Sequence, residues 1–307
     1  MPRLHALILG LAALALVVPG CGQDDATTPG AGGGGSPAAK PTLVFSAIPS
    51  TTDQTAYEAK FGKVAEWLSE RLGVPVKYQH SADYSQSVEA FVSGDVLFAW
   101  FGGLTGAQAR HRVSGAHAIA QGKEDPEYYS YFIAHKDTGL ERSDDFPTGI
   151  EGKSFTFGSR DSTSGRLMPE HFIRTLGGKA PEEYFAEVRF SGGHNTTALQ
   201  VNSGAVQVGA LSYTTYDKMA AKGEIDPDVA RIIWKTPYYA DYNITAHPDL
   251  EKVYGAGFTK KLQKALVDMP SELVTPAFER ETLIEAKDED FAAIVELAAQ
   301  LGFLDSK

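Results

Sequence analysis

The segment Phe155-Thr156-Phe157-Gly158-Ser159-Arg160-Asp161-Ser162-Thr163-Ser164-Gly165 reads as a short apolar strand, a turn, and a run of hydroxyls with a glycine. These open a helix through Leu167, Met168, His171 and Phe172. A helix start exposes unpaired backbone N–H groups and the positive end of the macrodipole, so hydroxyls gathered there can receive a small oxyanion. The same pattern also fits plain capping, with Ser162 or Thr163 accepting from a backbone amide. His194 follows Ser191-Gly192-Gly193 and opens a second helix, where an imidazole N–H can donate to an anion; a surface histidine beside an ordinary cap is the simpler alternative. Tyr84 and Tyr128 are phenols able to donate to an oxyanion, or buried tyrosines with internally satisfied hydroxyls.

Ser164, His194 and Asp241 have the composition of a hydrolase triad, but Ser162-Thr163-Ser164-Gly165 does not match the G-x-S-x-G elbow. No Gly-Lys precedes Ser or Thr as in a nucleotide-phosphate loop, and no histidine pair or acidic cluster has metal-ligand spacing. Binding without catalysis, and without cofactor or metal, is therefore expected.

The chain has 307 residues, of which 43% are hydrophobic and 22% charged, the balance of a soluble globular protein. Its formal charge of -11 and the lack of a Lys/Arg cluster argue against nucleic acid as a partner. An anionic ligand must then be held by local dipoles against an unfavourable overall field.

Arg3 followed by the apolar run Leu7 to Val18 and Pro19-Gly20-Cys21 fits a secretory signal peptide over residues 1–20. Cys21, the single cysteine, sits where a bacterial lipoprotein signal is cut and lipidated, with ordinary secretory cleavage as the alternative. Residues 21–41, rich in Gly, Ala, Pro, Ser and Thr, form a flexible tether. The expected location is periplasmic or extracytoplasmic, held to a bacterial membrane by lipid.

In the body, Thr42 to Ile48, Val74 to Tyr78 and Val96 to Trp100 read as strands, separated by helices through Phe61 to Leu72 and Val88 to Val92. The pattern restarts after Pro147 with strands at Phe155 to Gly158, Val188 to Phe190, Gln207 to Leu211 and Val229 to Trp234. Helices are expected at Ser164 to Leu176, His194 to Asn202 and Tyr216 to Ala221, and again over the tail from Lys260 to Leu304. Strands alternating with single helices predict two α/β units with mostly parallel sheets. Ligands of such sheets bind beyond the carboxyl ends of strands. There lie the turns Ser46 to Thr52, Trp100 to Thr105, Gly158 to Gly165, Ser191 to Thr196 and Leu211 to Thr215, with Gly102 and Gly103 offering open backbone amides.

The segments VLFAWFGG (Val96 to Gly103), FTFGSRDSTSGRLMP (Phe155 to Pro169), GHNTTAL (Gly193 to Leu199) and Ile233-Trp234-Lys235 resemble the periplasmic binding proteins of phosphonate, phosphite and phosphate ABC transporters. The likeness runs from about Leu43 to Leu250 and is nearest a branch labelled selenate-binding. It implies a type II periplasmic-binding-protein fold with two α/β lobes, a ligand cleft and a two-segment hinge. Lobe 1 would comprise residues 42–135 and 236–307, and lobe 2 residues 136–235.

The resemblance also implies a monomer that captures a small tetrahedral oxyanion and delivers it to an ABC permease and its ATPase. Ser162, Thr163, Ser164, His194, Tyr84 and Tyr128 would contact the anion. Binders that accept an aminoalkyl group carry a Glu near Thr214 and an Asp near Tyr242, so a compact inorganic or organophosphorus oxyanion is expected here. Asp241 decides the rest: facing the cleft it favours a ligand that keeps a P–OH, and pointing away it favours selenate or another fully ionised anion. A ligand-sensing lipoprotein that serves a signalling receptor is the other reading.

Overall fold

The computed structural model describes residues 40–49 and 54–305; the signal peptide, Cys21 and most of the tether lie outside the described residues. The chain first lays down β1 (Leu43–Ala47), α1 (Gln54–Leu72), β2 (Val76–Tyr78), α2 (Tyr84–Val92), β3 (Phe98–Phe101), α3 (Gly103–Arg112) and β4 (His117–Gly122). Helix α1 buries Tyr57, Phe61, Val64, Ala65, Leu68 and Leu72, a stripe at helical period that packs against the sheet. Phe61, Val64, Leu68 and Leu72 each contribute about 1.5–3 kcal/mol on leaving water. Asp83 caps α2 by accepting from the Gln86 amide at 2.7 Å, and Gly94, at φ 81°, turns the chain into β3.

The chain then crosses to a second sheet through β5 (Ser130–His135), β6 (Ser154–Phe157), α4 (Met168–Leu176), α5 (Pro181–Tyr184), β7 (Glu187–Phe190), α6 (His194–Asn202), β8 (Val208–Ser212), α7 (Tyr213–Ala221) and β9 (Ala230–Lys235). A second crossing returns it to β10 (Asn243–Ala246), α8 (Asp249–Tyr254), α9 (Phe258–Val267), α10 (Ser271–Phe278), β11 (Leu283–Glu285) and α11 (Ala292–Gln300). The first sheet has the order β2-β1-β3-β10-β4-β11 and the second β7-β6-β8-β5-β9. Phe45 stacks on Phe98 at 4.8 Å in the first core, and Phe155 on Phe185 at 4.3 Å in the second.

The sheets are mixed, which corrects the expectation of mostly parallel ones. Strands β1, β2 and β3 are parallel, as are β6, β7 and β8, but β10 runs antiparallel to β3 and β5 antiparallel to β8. The cause is the crossing itself. Asn243, the first residue of β10, pairs with Phe101, the last of β3, and Ser130 at the start of β5 pairs with Ser212 at the end of β8. A strand arriving from the other layer enters at the edge where the parallel strands finish, so it must run away from that edge. Ser130–His135, expected in the first lobe, is therefore hydrogen-bonded in the second sheet.

The two crossings are paired: Tyr128 and Tyr239 exchange both backbone hydrogen bonds at 2.9 Å, and the Asp241 amide donates to the Asp125 carbonyl at 3.1 Å. Gly122, at the end of β4, packs under this junction. A Cβ there would stand 2.4 Å from Arg280 Cγ and 2.5 Å from Asp125 Oδ2. Gly122→Ala should destabilise the fold by about 1–3 kcal/mol through overpacking, read by urea unfolding; wild-type stability would show that the junction yields freely.

Candidate functional site

The hydroxyl run is held by an unusual helix start. Residues Thr163–Leu167 form a single π-helical turn ahead of α4, where one continuous helix from Ser164 to Leu176 was expected. Pro169 explains the widening, since it has no N–H to give the Gly165 carbonyl four residues earlier. That carbonyl instead accepts from the Gly158 amide at 2.8 Å. Ser162 caps the turn, accepting from the Gly165 amide at 2.9 Å, and its hydroxyl also meets the Tyr84 phenol. The capping role thus holds for Ser162 alongside its contact with the first lobe.

Thr163 reaches across to the start of α3. Its Oγ1 accepts from the Leu104 amide at 3.0 Å and its hydroxyl bonds the Asp241 carboxyl. Asp241 Oδ1 accepts from the Gly103 amide at 2.8 Å. The Gly103 amide, expected to be open, is therefore taken by Asp241, and the adjacent Leu104 amide by Thr163. Gly102 leaves these two groups room, because a Cβ there would lie 3.2 Å from Thr163 Oγ1 and 3.3 Å from Asp241 Oδ1 and would have to press them aside by a few tenths of an ångström.

Asp241 is 1% exposed, and its Oδ2 is buried without a hydrogen-bond partner. Burial pushes its carboxyl up to about 7, against the opposing pull of the Gly103 amide and the Thr163 hydroxyl. His194, also 1% exposed, is pushed down to about 4 by burial, so it is neutral at physiological pH. Its Nδ1 lies 3.3 Å from the Ser212 amide and accepts from it, which assigns the ring proton to Nε2. Nε2 stands 3.5 Å from Ser164 Oγ and is a neutral donor. The hydrolase arrangement fails on geometry, because Nε2, the nitrogen facing Ser164, already carries the proton, Nδ1 is bonded to the Ser212 amide, and Asp241 serves Gly103 and Thr163.

Tyr128 bonds Ser212 Oγ and lies 3.0 Å from Thr214 Oγ1; burial pushes its phenol up, so it stays protonated. The sequence-selected residues thus form two buried chains: Tyr84, Ser162, Thr163 and Asp241 on one side, and Ser164, His194 and Tyr128 through Ser212 on the other. Ser130 ties the second chain to the crossings, donating to the Ser164 carbonyl at 2.7 Å and meeting Tyr239 Oη at 2.6 Å. Ser130 and Tyr239 carried no sequence signal, whereas Ser212 lies in a turn that did. Thr214 is occupied with Tyr128, and Tyr242 stacks on Trp100 at 5.3 Å. Among the described residues no group of His, Cys, Asp and Glu could hold a metal ion.

Two α/β layers, joined by two paired crossings and enclosing hydroxyls and a neutral imidazole, have the architecture of a two-lobed binding protein. Residues 45–291 match the family described as ABC transporter, phosphonate, periplasmic substrate-binding protein, and the chain belongs to that family. It is 32% identical over 266 residues to a probable ABC transporter phosphite-binding protein of Prochlorococcus marinus, covering 84% of this chain and 89% of the relative. A phosphate-import protein of Mycolicibacterium smegmatis is 28% identical over 214 residues, with 65% and 64% covered. A solved structure of the Prochlorococcus marinus protein in complex with methylphosphonate superposes with a TM-score of 0.80, over 85% of this chain and 98% of that one. A phosphonate-transporter component of Pseudomonas aeruginosa, 20% identical, shares the fold at a TM-score of 0.72, over 87% and 88% of the two chains. The family places the protein outside the cytoplasm as the substrate-binding part of an ABC importer.

The Asp241 environment yields a stability prediction. A carboxyl raised from 3.8 to about 7 on folding stabilises the unliganded fold below pH 4 and loses that contribution as pH rises through 7. Asp241→Asn carries no such loss, so it should match the wild type near pH 4 and exceed it at pH 8 by up to about 4 kcal/mol. Thermal melts of both proteins across that range check this; a constant difference between them would show that Asp241 does not titrate as its burial requires.

Proposed function

We propose that the protein captures a small phosphorus oxyanion that keeps one acidic proton, of the phosphite or methylphosphonate kind, between its lobes and delivers it to an ABC permease. The observation that carries this reading is the unpartnered Oδ2 of buried Asp241, whose other contacts are the Gly103 amide and the Thr163 hydroxyl. A lone carboxylate would repel an anion, but a P–OH turns that repulsion into a charge-assisted hydrogen bond. Sulfate and selenate bring no proton at neutral pH, so Asp241 has to hold one itself, at a cost that grows as pH rises above 7. Ser164 and Ser162 at the π turn, Nε2 of His194 and the phenols of Tyr84 and Tyr128 supply donors to the remaining oxygens, while Thr163, whose one proton goes to Asp241, holds that carboxyl in place.

The relative solved with methylphosphonate and the one named for phosphite support the compact phosphorus ligand. Delivery occurs at a membrane surface, with the mature protein held there by lipid on Cys21, as the apolar run before that cysteine supports.

Calorimetric titration against phosphite, methylphosphonate, phosphate, sulfate and selenate tests the reading. A phosphorus oxyanion should bind at least about 100-fold more tightly than sulfate or selenate, and Ser162→Ala and Thr163→Ala should each cost about 1–3 kcal/mol of that affinity. Affinity should fall as pH rises above 7, because the proton shared by Asp241 and the anion is lost. Equal binding of selenate, or affinity that is indifferent to alkaline pH, would contradict the proposal.

A further inference from the structure

Beside this site the chain places one of its own cations in an aromatic cage. Helix α10 ends at Phe278 and is capped by Glu279, the one non-glycine residue with positive φ among the described residues; that left-handed turn is followed by Arg280, which is 4% exposed. The guanidinium carbon lies 4.7 Å from the ring centre of Tyr242, 5.1 Å from that of Tyr128 and 5.8 Å from that of Trp100. Nε donates to Asp125 Oδ1 at 2.8 Å, with Nη2 2.8 Å from the same oxygen, and Nη1 donates to the carbonyls of Phe278 and Glu279 at 3.3 and 2.9 Å. Three ring faces and a fully buried carboxylate are what a protein uses to bind an organic cation. The cavity left between Trp100, Tyr242, Thr214 and Arg280 is about 20 Å³, room for about one water molecule.

The cage borders the anion site directly. Tyr128 belongs to both, Tyr242 follows Asp241, and the Arg280 charge acts on the Asp241 carboxyl.

We propose that Arg280 is the specificity-determining residue for the ligand's fourth substituent: its guanidinium permanently fills a cation subsite and so restricts that substituent to a small uncharged group. This rests on the reading that a phosphorus oxyanion docks at Thr163 and Asp241. An ammonium-bearing arm meets a resident cation and no space. Truncating Arg280 empties the cage and leaves Asp125 as a counter-charge for such an arm.

The test is titration of full-length mature protein with methylphosphonate, 2-aminoethylphosphonate and 3-aminopropylphosphonate. Wild type should prefer methylphosphonate over both amines by at least about tenfold, and Arg280→Ala should shrink that preference by about tenfold or more for the amine of fitting length. The double variant Arg280→Ala/Asp125→Asn, which leaves no unpaired buried charge, should fold and lose the gain. Ligand-induced rises in melting temperature give the same readout if Arg280→Ala is weakened. Wild type binding either amine as tightly as methylphosphonate, or a folded Arg280→Ala with unchanged selectivity, overturns the proposal while leaving the phosphonate reading intact. Failure of wild type to bind any phosphonate overturns both.

Discussion

A carboxyl buried without a full set of partners organises this molecule. Asp241 sits where the second crossing re-enters the first sheet, and its position is fixed by the paired crossings, by the Gly103 amide and by the Thr163 hydroxyl from the opposite lobe. Burial of a charge is costly enough that the group keeps a proton or finds one. The surrounding groups are neutral donors, with His194 held uncharged and the phenols protonated, and on the proposed reading they select a ligand by proton inventory as well as by shape. In a chain of net charge -11, such local selection replaces long-range attraction.

The fold serves that carboxyl in a specific way. Parallel strands end at the cleft, helices start there, and the crossing strands begin there, so amides, hydroxyls and the carboxyl converge at one level of the structure. The π turn at Thr163–Leu167 turns the lack of an N–H on Pro169 into a wider helix mouth. The Leu104 amide to Thr163 bond joins the two lobes directly, so on the proposed reading a ligand that satisfies Asp241 also stabilises the arrangement in which the lobes meet.

Much of this was legible in the sequence where the signal was local. Helix α6 begins at His194 as its glycines and periodicity indicated, and the hydroxyl block stands at a helix start as its strand-turn-helix pattern indicated. The antiparallel strands β5 and β10 were not legible as such, because their direction follows from where the chain crosses between layers rather than from any residue pattern. Arg280 carried no signal at all: its surroundings come from β3, both crossings and the end of α10, segments far apart in sequence. The aim of Asp241 was likewise undecided until the Gly103 amide fixed Oδ1 and left Oδ2 without a partner.

The account turns on where the ligand's proton goes, and a high-resolution crystal structure of the complex with phosphite or methylphosphonate tests it directly. One anion oxygen should lie about 2.5–2.7 Å from Asp241 Oδ2, the length of a charge-assisted O–H···O bond, with the others facing hydroxyl and imidazole donors. An anion seated elsewhere in the cleft, with Asp241 Oδ2 bonded to a protein donor instead, would contradict it.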